Sequence, residues 1–338
     1  MNKSEVRWGI AGVGHIAHRF VNDLVNHCPN ALFYGAAARH SARAKTFVEQ
    51  FDGQVSYDSY VSLAHDPNID VVYIATIHPA HKPLIELYLN HGKHVLVEKP
   101  ALTNVADWDA MMSLAEQKGL LLIEAMKTLT FPAYRALRQW IQDKQLVIDH
   151  VEAAFGGVVP VDDNSRLFDA HLCGGASLDV GVYPLWLYAD LCECLGQPMG
   201  TLTTEFMQDN PQSQVDDTAI YHFSGAVSGK IGGSITRELS KVATLTGPDL
   251  TITIAEKWWN PKNITIHYQG EEHRIDTSPC GGGFEHEIIH MTDLIRQQAT
   301  SSDIIKKRVG RQVIACVEAA LSANGFTHLT QINGVATQ

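Results

Sequence analysis

Along the first 125 residues, short apolar runs alternate with longer stretches whose apolar positions recur every three to four residues. The runs Val6–Ala11, Leu32–Ala38, Val71–Ala75, His94–Glu98 and Leu120–Glu124 predict strands. The stretches HIAHRFVNDLVNH, SARAKTFVEQF, HKPLIELYLNHG and NVADWDAMMSLAEQKG predict helices. Asn104 reads as a helix N-cap and Gly119 as a helix stop. Strands alternating with helices predict a doubly wound parallel sheet, an α/β domain over residues 1–126. After about residue 127 the pattern changes. Pro132 opens the helical PAYRALRQWIQDKQ, and the segments HVEAAFGG, AIYHFSG, GKIGGSITRE and LTITIA then alternate in polarity between turn-forming residues. That predicts a mainly antiparallel sheet with one solvated face. A helix over about 168–195 interrupts it, and helices near 284–299 and 307–323 close an α+β domain over 127–338.

Composition narrows the function classes. A chain of 338 residues exceeds one ordinary core, which agrees with two domains. Apolar content of 45 % and charged content of 19 % are those of a soluble globular protein. A formal net charge of −11 argues against a nucleic-acid partner, which needs a basic face. No apolar run reaches the roughly 18 residues of a membrane span. MNKSEVRWGIAGVG passes straight into a strand and turn without an apolar leader, so the expected location is cytoplasmic. The six cysteines form no CxxC pair and read as reduced thiols, and no metal is expected.

The first stretch with chemistry is WGIAGVGHIAHRF, which contains Gly12-x-Gly14-x-x-Ala17 directly after a strand and opening a helix. This is the context of the dinucleotide fingerprint. Gly12 permits the tight turn, Gly14 lets a pyrophosphate approach the backbone, and Ala17 lets helix and strand pack closely. The helix start at His15 and Ile16 offers free N–H groups to the anion. The second strand does not end in the acid that would bind a ribose 2′-hydroxyl; Arg39 stands there, with His40, Ser41 and Arg43 beside it. Arg39 and Arg43 suit a 2′-phosphate, so NADP is favoured over NAD. The alternative is a solvated arginine, with Ser41 serving only as a helix cap. The second stretch, HVLVEKPALTN, sets Glu98, Lys99 and Pro100 at a strand end. Ligands of doubly wound sheets bind at the carboxyl ends of strands, so Lys99 would face the reacting carbon. Pro100 favours extended backbone at Lys99, and Glu98 reads as a positioning acid.

Together with VVYIATIHPAHKP, GGASLDVGVYPL and GGGFEHEI, these segments resemble the Gfo/Idh/MocA oxidoreductase family over essentially the whole chain. EAMKTLTFPAYRALR and RLFDAHLCGGASLDVGVYPL look like its branch of dimeric dihydrodiol dehydrogenase, NADP-dependent D-xylose dehydrogenase and glucose–fructose oxidoreductase. The resemblance implies a Rossmann domain, a second domain built on a large open antiparallel sheet, and a homodimer or homotetramer through that sheet. It also implies a nicotinamide cofactor and a sugar, polyol or trans-dihydrodiol substrate.

Many family members carry Asp-x-Gly-x-His where this chain has Asp179-Val180-Gly181-Val182-Tyr183. Tyrosine at the histidine's place matches the dihydrodiol and glucose–fructose branch, where tyrosine is the proposed acid/base. Asp179 and Tyr183 share one face if the stretch is helical. A free phenol titrates near 10, and a neighbouring lysine ammonium is expected to lower that value. The catalytic set is therefore Tyr183 as acid/base, Lys99 as its electrostatic partner, and Asp179 to orient Lys99 or a substrate hydroxyl. The alternative for Tyr183 is packing at the domain interface, and for Asp179 a helix cap. Thr76 and His78 are candidates to flank the cofactor; His81 is as readily a helix residue. Arg166 and Asp169 are candidate pocket residues. Of Trp258 and Trp259, adjacent residues on a strand point to opposite faces, so at most one serves, and Trp258 is carried as that aromatic face. The rival function is a non-catalytic NAD(P)-binding sensor of the same fold.

Overall fold

The architecture is described from a computed structural model covering residues 5–160 and 165–331. Its first sheet has six strands: β1 (Val6–Ala11), β2 (Ala31–Ala37), β3 (Val55–Tyr57), β4 (Val71–Ile74), β5 (His94–Val97) and β6 (Leu122–Glu124). They lie in the order β3-β2-β1-β4-β5-β6, every neighbouring pair parallel. The connecting helices are α1 (His15–His27), α2 (Ser41–Gln50), α3 (Tyr60–His65), α4 (His81–Asn90) and α5 (Val105–Gln117). This is a Rossmann-like sheet. Its strand order reverses between β1 and β4, and a ligand crevice opens there. β4 and the last three residues of β5 are buried on both faces, which is why they read as continuous apolar runs. Asn104 does cap α5, accepting from the Asp107 N–H at 2.8 Å, and Gly119 just beyond the helix has φ +65°. β3 and α3 were not anticipated.

The second sheet has eight strands: β7 (His150–Gly156), β8 (Thr201–Met207), β9 (Thr218–Ser224), β10 (Ser228–Ser234), β11 (Ala243–Gly247), β12 (Leu250–Ile254), β13 (Asn263–Tyr268) and β14 (Glu271–Asp276). Their order is β14-β13-β12-β11-β7-β10-β9-β8. All neighbours are antiparallel except β7 and β10. Helices α6 (Pro132–Asp143) and α7 (Val182–Cys194) pack on one face. Helices α8 (Glu285–Arg296) and α9 (Lys307–Ala323) return to the first sheet's side, α8 against α1 and α9 against α5. The outer face carries Glu152, Lys230, Thr251, Thr253, Thr265 and His267. It is threonine-rich and charged, as expected of the sheet's solvated face. Among the described residues no helix is long and apolar enough to cross a membrane.

The helix expected over 168–195 is broken. A short 3-10 turn (Ala170–Leu172) ends at Cys173 with φ +53°, and a π turn (Ser177–Gly181) then leads into α7. Glycines make the break possible. A Cβ on Gly174 would stand 2.4 Å from the Leu167 carbonyl oxygen, and one on Gly175 (φ +100°) 2.3 Å from an Asp216 oxygen. Asp216 fixes the π turn by accepting from the Ser177 N–H at 2.7 Å and its hydroxyl at 2.6 Å. The wider π turn aims Asp179 at the first sheet.

Candidate active site

A cleft of about 700 Å³ runs along the carboxyl edge of the first sheet and is closed by the second domain. Its middle is the turn after β1. Gly12 has φ +94°, and a Cβ there would stand 2.7 Å from the Ala75 carbonyl oxygen. A Cβ on Gly14 would meet nothing within 4 Å on the protein side. No side chain caps α1 and its first turn has no acid, so its leading N–H groups stay available. This donor set fits a pyrophosphate. At one end of the cleft stand Arg39, His40, Arg43 and Tyr60. The Arg43 guanidinium reaches the Val13 carbonyl at 3.4 Å. No carboxylate follows β2 there, and the two arginines fit a 2′-phosphate.

The other end gathers side chains from distant segments. Lys99 follows β5, its bond to Pro100 is cis, and its ammonium donates to the Asp179 main-chain oxygen at 2.5 Å. One Asp179 carboxylate oxygen lies 3.5 Å from the same ammonium and 3.0 Å from the Arg166 guanidinium. Burial alone would raise the Asp179 carboxyl, but Lys99, Arg166 and His78 outweigh it and hold it at about 2. Lys99 also stands over the ring of Tyr183, 4.9 Å from its centroid. Glu98 accepts from the Tyr73 phenol, and its other oxygen accepts from the Lys99 N–H at 3.3 Å.

Tyr183 departs from expectation. Its phenol lies well above the ordinary value, first because it is buried and then because Glu98, Asp179 and Glu287 surround it. The lowering expected from Lys99 does not prevail; the ammonium is bonded to Asp179 and faces the ring. Tyr183 is therefore held protonated at neutral pH.

His15, Ile16, Thr76, His78 and Arg166 line the cleft. His78 Nδ1–H donates to the Cys173 carbonyl at 2.9 Å, and burial, with His81 and Lys99 beside it, pushes its imidazole down to about 3. His81 is buried behind it, bonded to the Pro100 carbonyl at 3.0 Å. Asp169 does not line the cleft; it caps the 3-10 turn by accepting from the His171 N–H at 2.8 Å. Trp258 also lies outside. It is fully buried and donates its indole N–H to the Ala154 carbonyl at 2.6 Å. The aromatic wall is Trp259, stacked on Phe155 at 3.8 Å and 8°. The tryptophans sit in a loop rather than a strand, so strand alternation does not assign their faces. Sequence reasoning also missed Arg19, Tyr60, Lys127, Phe155, Asn260 and Phe284. Lys127 left a signal, a lone lysine in the apolar run Ala125–Phe131 after a strand end. Among the described residues no group of three or more His, Cys, Asp or Glu converges as a metal site.

Residues 6–126 match the family model described as an oxidoreductase family with an NAD-binding Rossmann fold. Trans-1,2-dihydrobenzene-1,2-diol dehydrogenase of Macaca fascicularis is 32% identical over 332 residues, 95% of this chain and 98% of that protein. The protein of that name from Homo sapiens is 31% identical over 334 residues, 95% and 98% of the two chains. Among solved structures, an aldose-aldose oxidoreductase from Caulobacter crescentus superposes with TM-score 0.83 at 20% identity, covering 94% of this chain and 97% of that one. A 3-ketoreductase from Actinomadura kijaniata in complex with NADP gives 0.78 at 20% identity, with the same coverages. These two structural likenesses concern the fold.

Proposed function

The chain belongs to the Gfo/Idh/MocA oxidoreductase family, and from that premise we propose that it is an NADP-preferring dehydrogenase. Hydride passes between the nicotinamide and a CH–OH carbon of a sugar, polyol or cyclic diol. The observation that carries this reading is the convergence of Lys99, Asp179 and Tyr183, from three separate segments, on one wall of the cleft. The relatives' name supports the diol class.

When bound, NADP supplies or accepts the hydride. The chain's residues do the rest. Gly12, Gly14 and the start of α1 would hold the cofactor's pyrophosphate, and Arg39 and Arg43 would receive its 2′-phosphate. Thr76 and His78 line the cleft where they would flank the nicotinamide. The Lys99 ammonium donates to the substrate oxygen and stabilises negative charge there. Tyr183 exchanges a proton with that oxygen. Asp179, bridged to Arg166, keeps Lys99 aimed. Trp259 and Phe155 pack against the substrate's carbon face. Because the phenol is held protonated, the resting site is set to donate a proton, which favours carbonyl reduction near neutral pH. A homodimer through the outer sheet face, on family resemblance, completes the reading, and light scattering checks it.

The test is NADP⁺ reduction with aldoses, inositols and trans-dihydrodiols, with wild type beside Lys99→Met. Turnover of one class, lost in the variant, is the expected result. Tight NADPH binding with no turnover of any class would move the reading to a sensor.

A further inference from the structure

Lys127 follows β6 in a 3-10 turn (Lys127–Thr130), and its side chain lines the floor of the cleft. It is only 7 % exposed. A buried ammonium is costly unless something compensates its charge. Its Nζ stands 4.3 Å from the centroid of the Phe284 ring. Arg19, from α1, brings its guanidinium to 5.3 Å of the same ring and also lines the cleft. Among the described residues, neither cation has an acceptor within hydrogen-bonding or ion-pairing reach. The buried neighbour Glu287, on α8, does not supply one: both its oxygens are without a hydrogen bond. The other two cations of this end, Lys99 and Arg166, already share Asp179.

We infer that Lys127 and Arg19 receive a carboxylate of the substrate, so that the preferred substrate is a sugar acid or a carboxylated cyclic diol rather than a neutral one. This rests on the cleft being the alcohol–carbonyl site proposed above. The ring of Phe284 compensates Lys127 in part, as a cation–π contact does, but leaves its N–H donors unused. A planar guanidinium beside an ammonium suits a carboxylate. Glu98 and Asp23 lie close enough to Lys127 to be felt there, while burial pushes the Glu287 carboxyl well above its usual range toward the neutral form, so a monoanion meets less repulsion than a phosphate dianion. Arg19, Lys127 and Tyr183 line the same cleft, so a carboxylate held by the two cations belongs to the same bound substrate. Burial draws the Lys127 ammonium down to about 8, so it is charged at neutral pH and its hold on an anion weakens above pH 8.

The experiment compares D-glucose with D-glucuronate, which differ in one carboxylate, by kcat/KM for NADP⁺ reduction at pH 7. Wild type should prefer the uronate by at least about ten-fold, the worth of one charge-assisted hydrogen bond. Lys127→Met should lower that preference by at least about ten-fold, and Lys127→Arg should keep it within about three-fold. A wild type indifferent to the carboxylate, or a preference untouched in Lys127→Met, overturns the inference. So does a Lys127→Met variant whose main loss is NADPH affinity, because the anion would then be the cofactor's phosphate. If neither sugar turns over, titration of tryptophan fluorescence in the NADP⁺-loaded protein decides. Saturable quenching by D-glucuronate that Lys127→Met loses supports the inference although the dehydrogenase reading is in trouble; no quenching in wild type overturns it.

Discussion

Replacing Asp179 with asparagine keeps the shape and one acceptor oxygen but deletes the charge that Lys99 and Arg166 share. Burial works against that carboxylate, yet its cationic neighbours hold it at about 2 instead of the usual 3.8. A difference of this size corresponds to about 2 kcal/mol of native-state stabilisation. The Arg166 side chain is 51 % exposed, so solvent screens its share, and about 1–2 kcal/mol is the expected loss. That is on the order of 1–3 °C in Tm for a chain of this length. The folded carboxyl titrates below the unfolded one. Its contribution is therefore complete above about pH 4 and is lost as pH falls through about 2. Urea unfolding of wild type and Asp179→Asn should differ by a constant amount from pH 7 down to about 4 and converge below that. Lys99 keeps its bond to the Asp179 main chain, so the ammonium stays in the cleft while its side-chain counter-ion is lost. If that coupling positions Lys99 in the transition state, kcat falls by about ten-fold. A variant with wild-type stability at pH 7 and wild-type kcat would refute the reasoning.

Three further outcomes are expected. Gly12→Ala forces a Cβ to 2.7 Å from the Ala75 carbonyl oxygen at φ +94°, so NADPH affinity, read by fluorescence titration, should fall by about ten-fold or more. Arg39→Ala should reduce kcat/KM for NADP about ten-fold more than for NAD; equal losses would remove the argument for the 2′-phosphate. Trp258→Ala should cost about 3–5 kcal/mol in unfolding, whereas Trp259→Ala should raise the substrate KM with a smaller change in Tm; the reverse pattern would contradict the placement of the two rings.

The glycine turn and its flanks were legible almost to the residue. The run Val6–Ala11 and the helix His15–His27 are punctuated by glycines and by a change of period, and both are found with those bounds. β3 and α3 were not legible, because three and six residues are too few to show a period. The continuous helix over 168–195 was misread because its interior apolar residues fit a helix while Gly174 and Gly175 serve a chain reversal seen only in tertiary contacts. The parallel pairing of β7 with β10 leaves no local trace, since strand direction depends on the whole topology. In the site, residues attached to a motif were legible: Gly12, Gly14, Lys99, Asp179 and Tyr183 all face the cleft. Residues that reach it across the fold were not legible: Phe155 lies in no motif, and although Lys127 and Phe284 fall within EAMKTLTFPAYRALR and GGGFEHEI, nothing in those segments says that they meet at the cleft. The protonation state of Tyr183 was misjudged for a related reason. It depends on burial and on Glu98 and Glu287, and sequence spacing reports neither.

The central claim is that Tyr183 moves the proton while Lys99 holds the oxygen. It is tested most directly by the pH dependence of kcat/KM in both directions, for wild type and Tyr183→Phe, on a substrate that the wild type turns over. The account predicts wild-type carbonyl reduction sustained through neutral pH and alcohol oxidation rising with pH, because the buried phenol stays protonated until well into the alkaline range. In Tyr183→Phe both directions should fall by about 10²–10⁴-fold with NADPH still bound. Near wild-type turnover in Tyr183→Phe, with the same pH profiles, would contradict it.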